Sequence, residues 1–330
     1  MNRLHHIDIA KGTLILCLLI SHFGIALERN NVGTQFFAPI LYWTPIFSVF
    51  FMQCFFIITG YCSNLNISGK SYFEKLSRQL IVPYVFLGFL NGLASHFLMP
   101  DSFRGFFTCF WFLNALIISK TIVWGLKRTI RKDGCVFLVS LFLLIIGVVL
   151  NEYNIGQEYL DFRKGLIATF FVAFGQMLKN NTTLACYMRK GWFIFPMVML
   201  VFYVFHYQWS LPLQDATIKV SLLQIPLFLA LSVFGSVTTL TFVRKAKYLP
   251  AIEFFGRNSI IVYCLHFPYL CMIAKQLLFR STPSNYFEGG VIFCLTFILE
   301  LIILTIIINL LNIYPLSILI GKYKKNRYAE

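Results

Sequence analysis

Apolar runs of spanning length follow one another along almost the whole chain, separated by short clusters of basic and turn-forming residues. A helix that crosses a membrane needs about 17 to 25 largely apolar residues. By that measure the pattern predicts ten helices, over residues 8–27, 40–62, 79–99, 105–125, 135–150, 164–179, 192–208, 221–243, 256–279 and 289–311. The fifth and sixth runs are short, which implies little tilt or a locally thinned bilayer. Connections are brief, and no repeat or low-complexity linker interrupts them. The expected architecture is all-α: a polytopic membrane helical bundle. It forms one integral membrane domain over residues 1–330, in which 312–330 are a basic cytoplasmic tail. Asp8 and Lys11 interrupt the start of the first run and no small-residue cleavage site follows it, so this run is expected to stay as a helix.

Composition agrees with the pattern. Hydrophobic residues make up 58% of the chain and charged residues 12%, against about 25% charged in soluble domains. The net charge of +15 would suggest a nucleic-acid partner in a soluble protein. Here its distribution matters more. With the N-terminus in the cytoplasm, 20 of the 28 Lys and Arg residues fall on the inside, 7 on the outside, and Lys120 lies within the fourth run. That bias predicts both termini in the cytoplasm and accounts for the basic balance without nucleic acid. The expected location is the cell membrane, as a multi-pass protein, the inner membrane in a bacterium. Nine cysteines are scattered along the chain, most of them inside apolar runs, with no CxxC and no zinc-type spacing, so they are expected to pack rather than to hold a metal.

The first run contains the residues of greatest interest. "KGTLILCLLISH" opens on Lys11 and closes on His22. Eleven residues are about three helical turns, so the two side chains share a face roughly 16 Å apart along the axis. Asp8, three residues before Lys11, is placed to pair with it. A snorkelling interfacial lysine is the plainer reading of Lys11. His22 is harder to dismiss, because an ionisable residue inside a span is a functional candidate by default. On the predicted topology His266, in "NSIIVYCLHFPY", belongs to the same outer half as His22, so the two could line one cavity. Glu300 lies mid-span in the tenth run, where a carboxylate must be protonated, paired or wetted. His96 and His206 lie near helix ends and read as interfacial. Arg128 and Arg131, in "KRTIRK", form an Arg-x-x-Arg pair whose guanidinium forks suit phosphate oxygens, although any cytoplasmic loop collects such residues. No P-loop, GxSxG or HExxH occurs, which disfavours ATP-driven pumping.

Taken in order, several segments resemble the acyltransferase-3 family of integral membrane acyltransferases. "RLHHIDIAKGTLILCLLISHFG" is similar to that family's first helix: an Asp, a basic residue followed by Gly, and a His beyond ten further residues. "FFMQCFFIITGYCSN" resembles its Phe-rich second helix, with Thr59-Gly60 where Ser-Gly is usual. "SYFEKLSRQLIVPYVF", "FWFLNALI" and "FGRNSIIVYCLHFPY" resemble its third, fourth and ninth helices, and "FFVAFGQML" is a looser match to the sixth. The "DIAKG…SH" form looks most like the branch of fucose 4-O-acetylases. The resemblance implies a membrane O-acyltransferase without a bound cofactor. It would move an acyl group, most simply acetyl, from cytoplasmic acetyl-CoA to a hydroxyl of a glycan or lipid-linked saccharide. The family's catalytic signature carries over onto Lys11 and His22, with His22 as general base. Lys11, Arg128 and Arg131 would meet the anionic acyl-CoA; His266 and Glu300 remain further candidates for the catalytic site. Membrane lipids are the other partner, and self-association is left open. A transporter or flippase for a lipid-linked saccharide is the alternative from another class; the ordered motifs and the lack of an inverted repeat stand against it. A sensor or scaffold would leave the buried ionisable residues unexplained.

Overall fold

A computed structural model describes residues 5–30, 35–41, 50–100, 105–106, 110–130, 132–153, 155, 161–194, 197, 225–246, 248–280 and 283–322. Most of the seventh predicted run, with His206, lies outside them, as do Arg131 and residues 323–330 of the tail. Among the described residues the regular elements are all helical, with no strand. The main ones are α1 (His5–Arg29), α2 (Phe51–Cys62), α3 (Gly69–Leu98), α4 (Trp111–Thr129), α5 (Asp133–Glu152) and α6 (Phe162–Asn180). They continue with α7 (Thr182–Lys190), α8 (Ile225–Lys245), α9 (Pro250–Arg257), α10 (Ser259–Arg280) and α11 (Tyr286–Leu311).

Six described helices are long and apolar enough to cross a membrane: α1, α3, α5, α8, α10 and α11. The chain is a multi-pass membrane protein by this reading. The predicted fourth and sixth runs also form helices, α4 and α6, but each carries three basic residues: Lys120, Lys127 and Arg128 in α4, Arg163, Lys164 and Lys179 in α6. The predicted third run starts late, because α3 extends N-terminally to Gly69 through a π-helical stretch at Ser77–Ile81. There the Val82 N–H bonds to the Ser77 carbonyl, five residues back. This re-registers the backbone ladder just ahead of Pro83, which has no N–H to give. The predicted ninth run is interrupted at Asn258, between α9 and α10.

The helices fall into two compact units. The first comprises residues 1–21, 41–66 and 111–257; the second comprises 22–40, 67–110 and 258–330. In the first unit α6 is the central helix, packed by α2, α4 and α5. Its middle, GLIATFFVAFG, is apolar but for Thr169 and is buried on every side. Phe170 meets Phe137 of α5 at 5.1 Å between centroids, and Phe171 meets Phe228 of α8 at 5.8 Å. Where α2 crosses α6 the backbones touch: a methyl on Gly60 would overlap the Val172 carbonyl, and one on Gly175 the Ile57 carbonyl. Small residues permit this approach in membrane helices. The Gln176 side-chain amide donates to the carbonyls of Gly60 and Ser63, capping the C-terminus of α2. The basic pair at the start of α6 is buried, and Arg163 and Lys164 both reach the Asp161 carboxylate, while Nη1 of Arg163 has no hydrogen-bond partner among the described residues.

In the second unit α10 packs against both α3 and α11. The end of α1 joins this group through Phe23, whose ring meets Phe37 at 5.3 Å and Phe293 of α11 at 5.0 Å. Asn30 then ties α1 to α10 by donating to the Cys271 carbonyl at 3.2 Å.

Candidate functional site

The second unit brings His22 and His266 together. Nδ1 of His22 lies 2.6 Å from Nε2 of His266. The ring centroids are 4.8 Å apart and the planes differ by 26°. A nitrogen–nitrogen distance that short is below any face-to-face stacking separation, so the rings meet at their edges through an N–H···N hydrogen bond.

The direction of that bond follows from the far side of His266. Its Nδ1 lies 3.0 Å from the carbonyl oxygens of both Val262 and Tyr263. Carbonyls only accept, so Nδ1 carries the proton. His266 is 2% exposed, and because burial disfavours an imidazolium, its Nε2 is the lone-pair nitrogen. His22 must therefore donate from Nδ1, which makes Nε2 of a neutral His22 its basic nitrogen. Phe267 meets the His22 ring edge-on, at 5.8 Å and 87°.

The backbone around His266 is set by a proline two residues on. Pro268 lies inside α10. It cannot bond to the carbonyl four residues back, that of Cys264. Buried Asn91 of α3 supplies the missing donor, with Nδ2 2.5 Å from the Cys264 oxygen. The freed carbonyl is thus satisfied by a neighbouring helix, as bilayer interiors require. Asn91 is the residue of this site that sequence reasoning missed; its signal was a lone amide in an apolar run and a proline in another. Glu300, on α11 in the same unit, is fully buried, and its carboxyl oxygens have no hydrogen-bond partner among the described residues. It bonds to neither histidine.

Lys11 belongs to the first unit. The expected pairing with Asp8 is not what forms. Asp8 faces Arg257 of α9 at 3.7 Å, and Arg257 also binds Glu253, which in turn contacts His5 at 2.9 Å. The Arg257 hydrogen bond holds the Glu253 carboxyl below its ordinary value of 4.5. α9 reaches Asp8 because α1 is bare beside Lys11: a methyl on Gly12 would overlap the Ile252 carbonyl, and one on Gly256 the Asp8 carbonyl. That contact is a physical reason for glycine after the basic residue. Lys11 itself makes no ion pair or hydrogen bond among the described residues. Lys120 of α4 is another lysine without such a partner there. Arg128 is exposed at the end of α4, with its guanidinium 5.3 Å from the Trp124 ring centroid. Among the described residues, no three His, Cys, Asp or Glu side chains gather as a metal would require.

An acyltransferase-domain family model, that of acyltransferase-3, matches residues 4–311. The chain belongs to the acyltransferase-3 family. No curated protein and no solved structure matches it. Membership makes the chain a membrane acyltransferase. The acyltransferase-3 match spans both units and contains Lys11, Asn91, Lys120, His22, His266 and Glu300.

Proposed function

We propose that this acyltransferase moves an acetyl group from acetyl-CoA, entering from the cytoplasm, to a hydroxyl of a glycan or lipid-linked saccharide at the outer half of the membrane. The observation that carries this reading is the hydrogen bond from His22 to His266. It gives His22 one basic nitrogen, Nε2, and a fixed orientation. Nε2 takes the proton of the acceptor hydroxyl as its oxygen attacks the thioester carbonyl. The carbon–sulfur bond then breaks, and the CoA sulfur leaves with the proton from His22. The imidazolium that forms in between keeps its Nδ1–H directed at the His266 lone pair, as an orienting partner does in other catalytic relays. His266 is a positioning residue in this scheme, and Asn91 holds the backbone that positions it.

Lys11 is the donor-side cation, three turns before His22 on the same helix, with Arg128 and Arg131 adding to a basic cytoplasmic rim. The pantetheine arm of CoA is long enough to join the two ends. Ten membrane crossings with both termini inside fit the charge bias, and a sugar acceptor fits the first-helix resemblance to sugar O-acetylases. The test is glycan mass analysis of a deletion strain beside its parent, paired with binding of a non-hydrolysable acetyl-CoA analogue to the purified chain. Loss of an acetyl group from one glycan, together with analogue binding, is the expected result. Unchanged glycans and no analogue binding would contradict it.

A further inference from the structure

The first unit holds a cavity of about 290 Å³, walled by α1, α2, α6, α7 and α8. Four of its lining residues are basic or imidazole side chains, His6, Lys179, Arg189 and Arg244, and none is acidic. They come from four different helices, so the charge is a property of the fold and not of one basic run. Its floor is apolar, made by Ile57, Leu178 and Val237.

The polar groups here are incompletely used. Nε of Arg189 donates to the Ala185 carbonyl at 3.0 Å, and no other bond of that guanidinium occurs among the described residues. Arg244 makes no ion pair or hydrogen bond there. The hydroxyl of Thr241, another lining residue, is buried with no partner among the described residues. A buried hydroxyl beside two guanidinium groups, with no carboxylate facing them, is a setting for an oxyanion with several acceptor oxygens. The apolar floor asks that the anion be carried on an aromatic or aliphatic body.

We infer that this cavity binds phosphate groups on such a carrier, and we assign it to the phosphates and nucleotide end of acyl-CoA. The inference rests on the acyl-CoA reading above and deepens it. The volume lies at the lower end of small-molecule sites, about 300 to 1,000 Å³, so it takes the phosphate-bearing part of the donor and not the whole. All four residues also fall on the side that the charge bias places in the cytoplasm. The same chemistry could come from an anionic phospholipid, and the experiment separates the two.

The full-length chain in detergent is titrated with the acetyl-CoA analogue and with adenosine 3′,5′-bisphosphate. Arg189→Ala with Arg244→Ala weakens both by at least about tenfold, a loss of about 1.4 kcal/mol. Arg189→Lys with Arg244→Lys retains most of the affinity, and Lys190→Ala, which removes a neighbouring charge outside the cavity, changes nothing. Arg244 is exposed, so Arg244→Ala alone serves if the double variant does not fold. Wild-type affinity in a folded alanine variant overturns the assignment. So does retention of phosphatidylglycerol, followed by native mass spectrometry, that is lost in the variant while analogue binding persists. Failure of the wild-type chain to bind the analogue at all is a different result: it strikes the acyl-CoA reading itself.

Discussion

An imidazole that donates from Nδ1 into a second imidazole has one nitrogen left to act as a base. In this chain the second imidazole is committed as well, because two backbone carbonyls hold the proton on its far nitrogen. Replacing His266 should therefore act on turnover and not on donor binding. His266→Leu removes the acceptor and should lower kcat by about a hundredfold, the low end of what a general base contributes. His266→Gln can accept through its amide oxygen and should recover part of the rate. Rates in membrane vesicles, beside analogue binding on the same preparations, check this; a loss of binding with kcat unchanged would assign His266 to packing. Sequence made His22 visible, since a histidine in an apolar run needs a reason. It also put His266 in the same half of the membrane. It could not show the hydrogen bond, which depends on the register between two helices about 240 residues apart. The neighbourhood of Lys11 was misread for a similar reason. Asp8 is the local partner by spacing, yet Arg257 arrives from α9 and takes it. Lys11 is then left without an ion pair among the described residues, which only the folded chain reveals.

At the scale of elements, two local contacts decide how the candidate residues are presented. The first is the repair of α10 by α3. Asn91→Val roughly keeps the size of the side chain but removes the amide, leaving the Cys264 carbonyl buried and unbonded. A cost of about 1 to 3 kcal/mol is expected, read as a lower unfolding midpoint in detergent, with kcat falling because His266 loses its backbone support. Unchanged stability would mean that the proline-freed carbonyl finds another donor. The second contact is the docking of α9 on α1 through Glu253, Arg257 and Asp8. Arg257 keeps the folded Glu253 carboxyl below its ordinary value of 4.5, so the unfolded chain binds more protons there. The stabilisation is complete above the unfolded value and fades as pH falls through the lower folded one. Thermal unfolding should therefore become easier on acidification below about pH 4.5, and less steeply so in Glu253→Gln. Parallel curves for the two proteins would rule this carboxylate out as the source. The periodicity located most helices well, including α5 and α6, whose runs at 135–150 and 164–179 differ from the observed ends by one or two residues. It misplaced the start of α3 and joined α9 to α10. Hydropathy does not register a π-helical turn, nor a break at one polar residue between two helical segments.

At the scale of the whole molecule, composition alone separated a membrane chain from a soluble basic one, and the order of the motifs pointed to the family that the domain match confirms. The two units were not legible, because each is assembled from three separate stretches of chain. Nor was the basic cavity, whose walls come from five helices with no shared motif. One residue, His22, is indispensable to the proposed chemistry of the assembled protein. Everted membrane vesicles containing the chain or its His22→Ala variant are supplied with acetyl-CoA labelled in the acetyl group, and label in the glycan and lipid-linked saccharide fraction is followed with time. The variant should bind the non-hydrolysable analogue as the parent does and transfer label at least about a hundredfold more slowly. Transfer at the parental rate by His22→Ala would contradict the account.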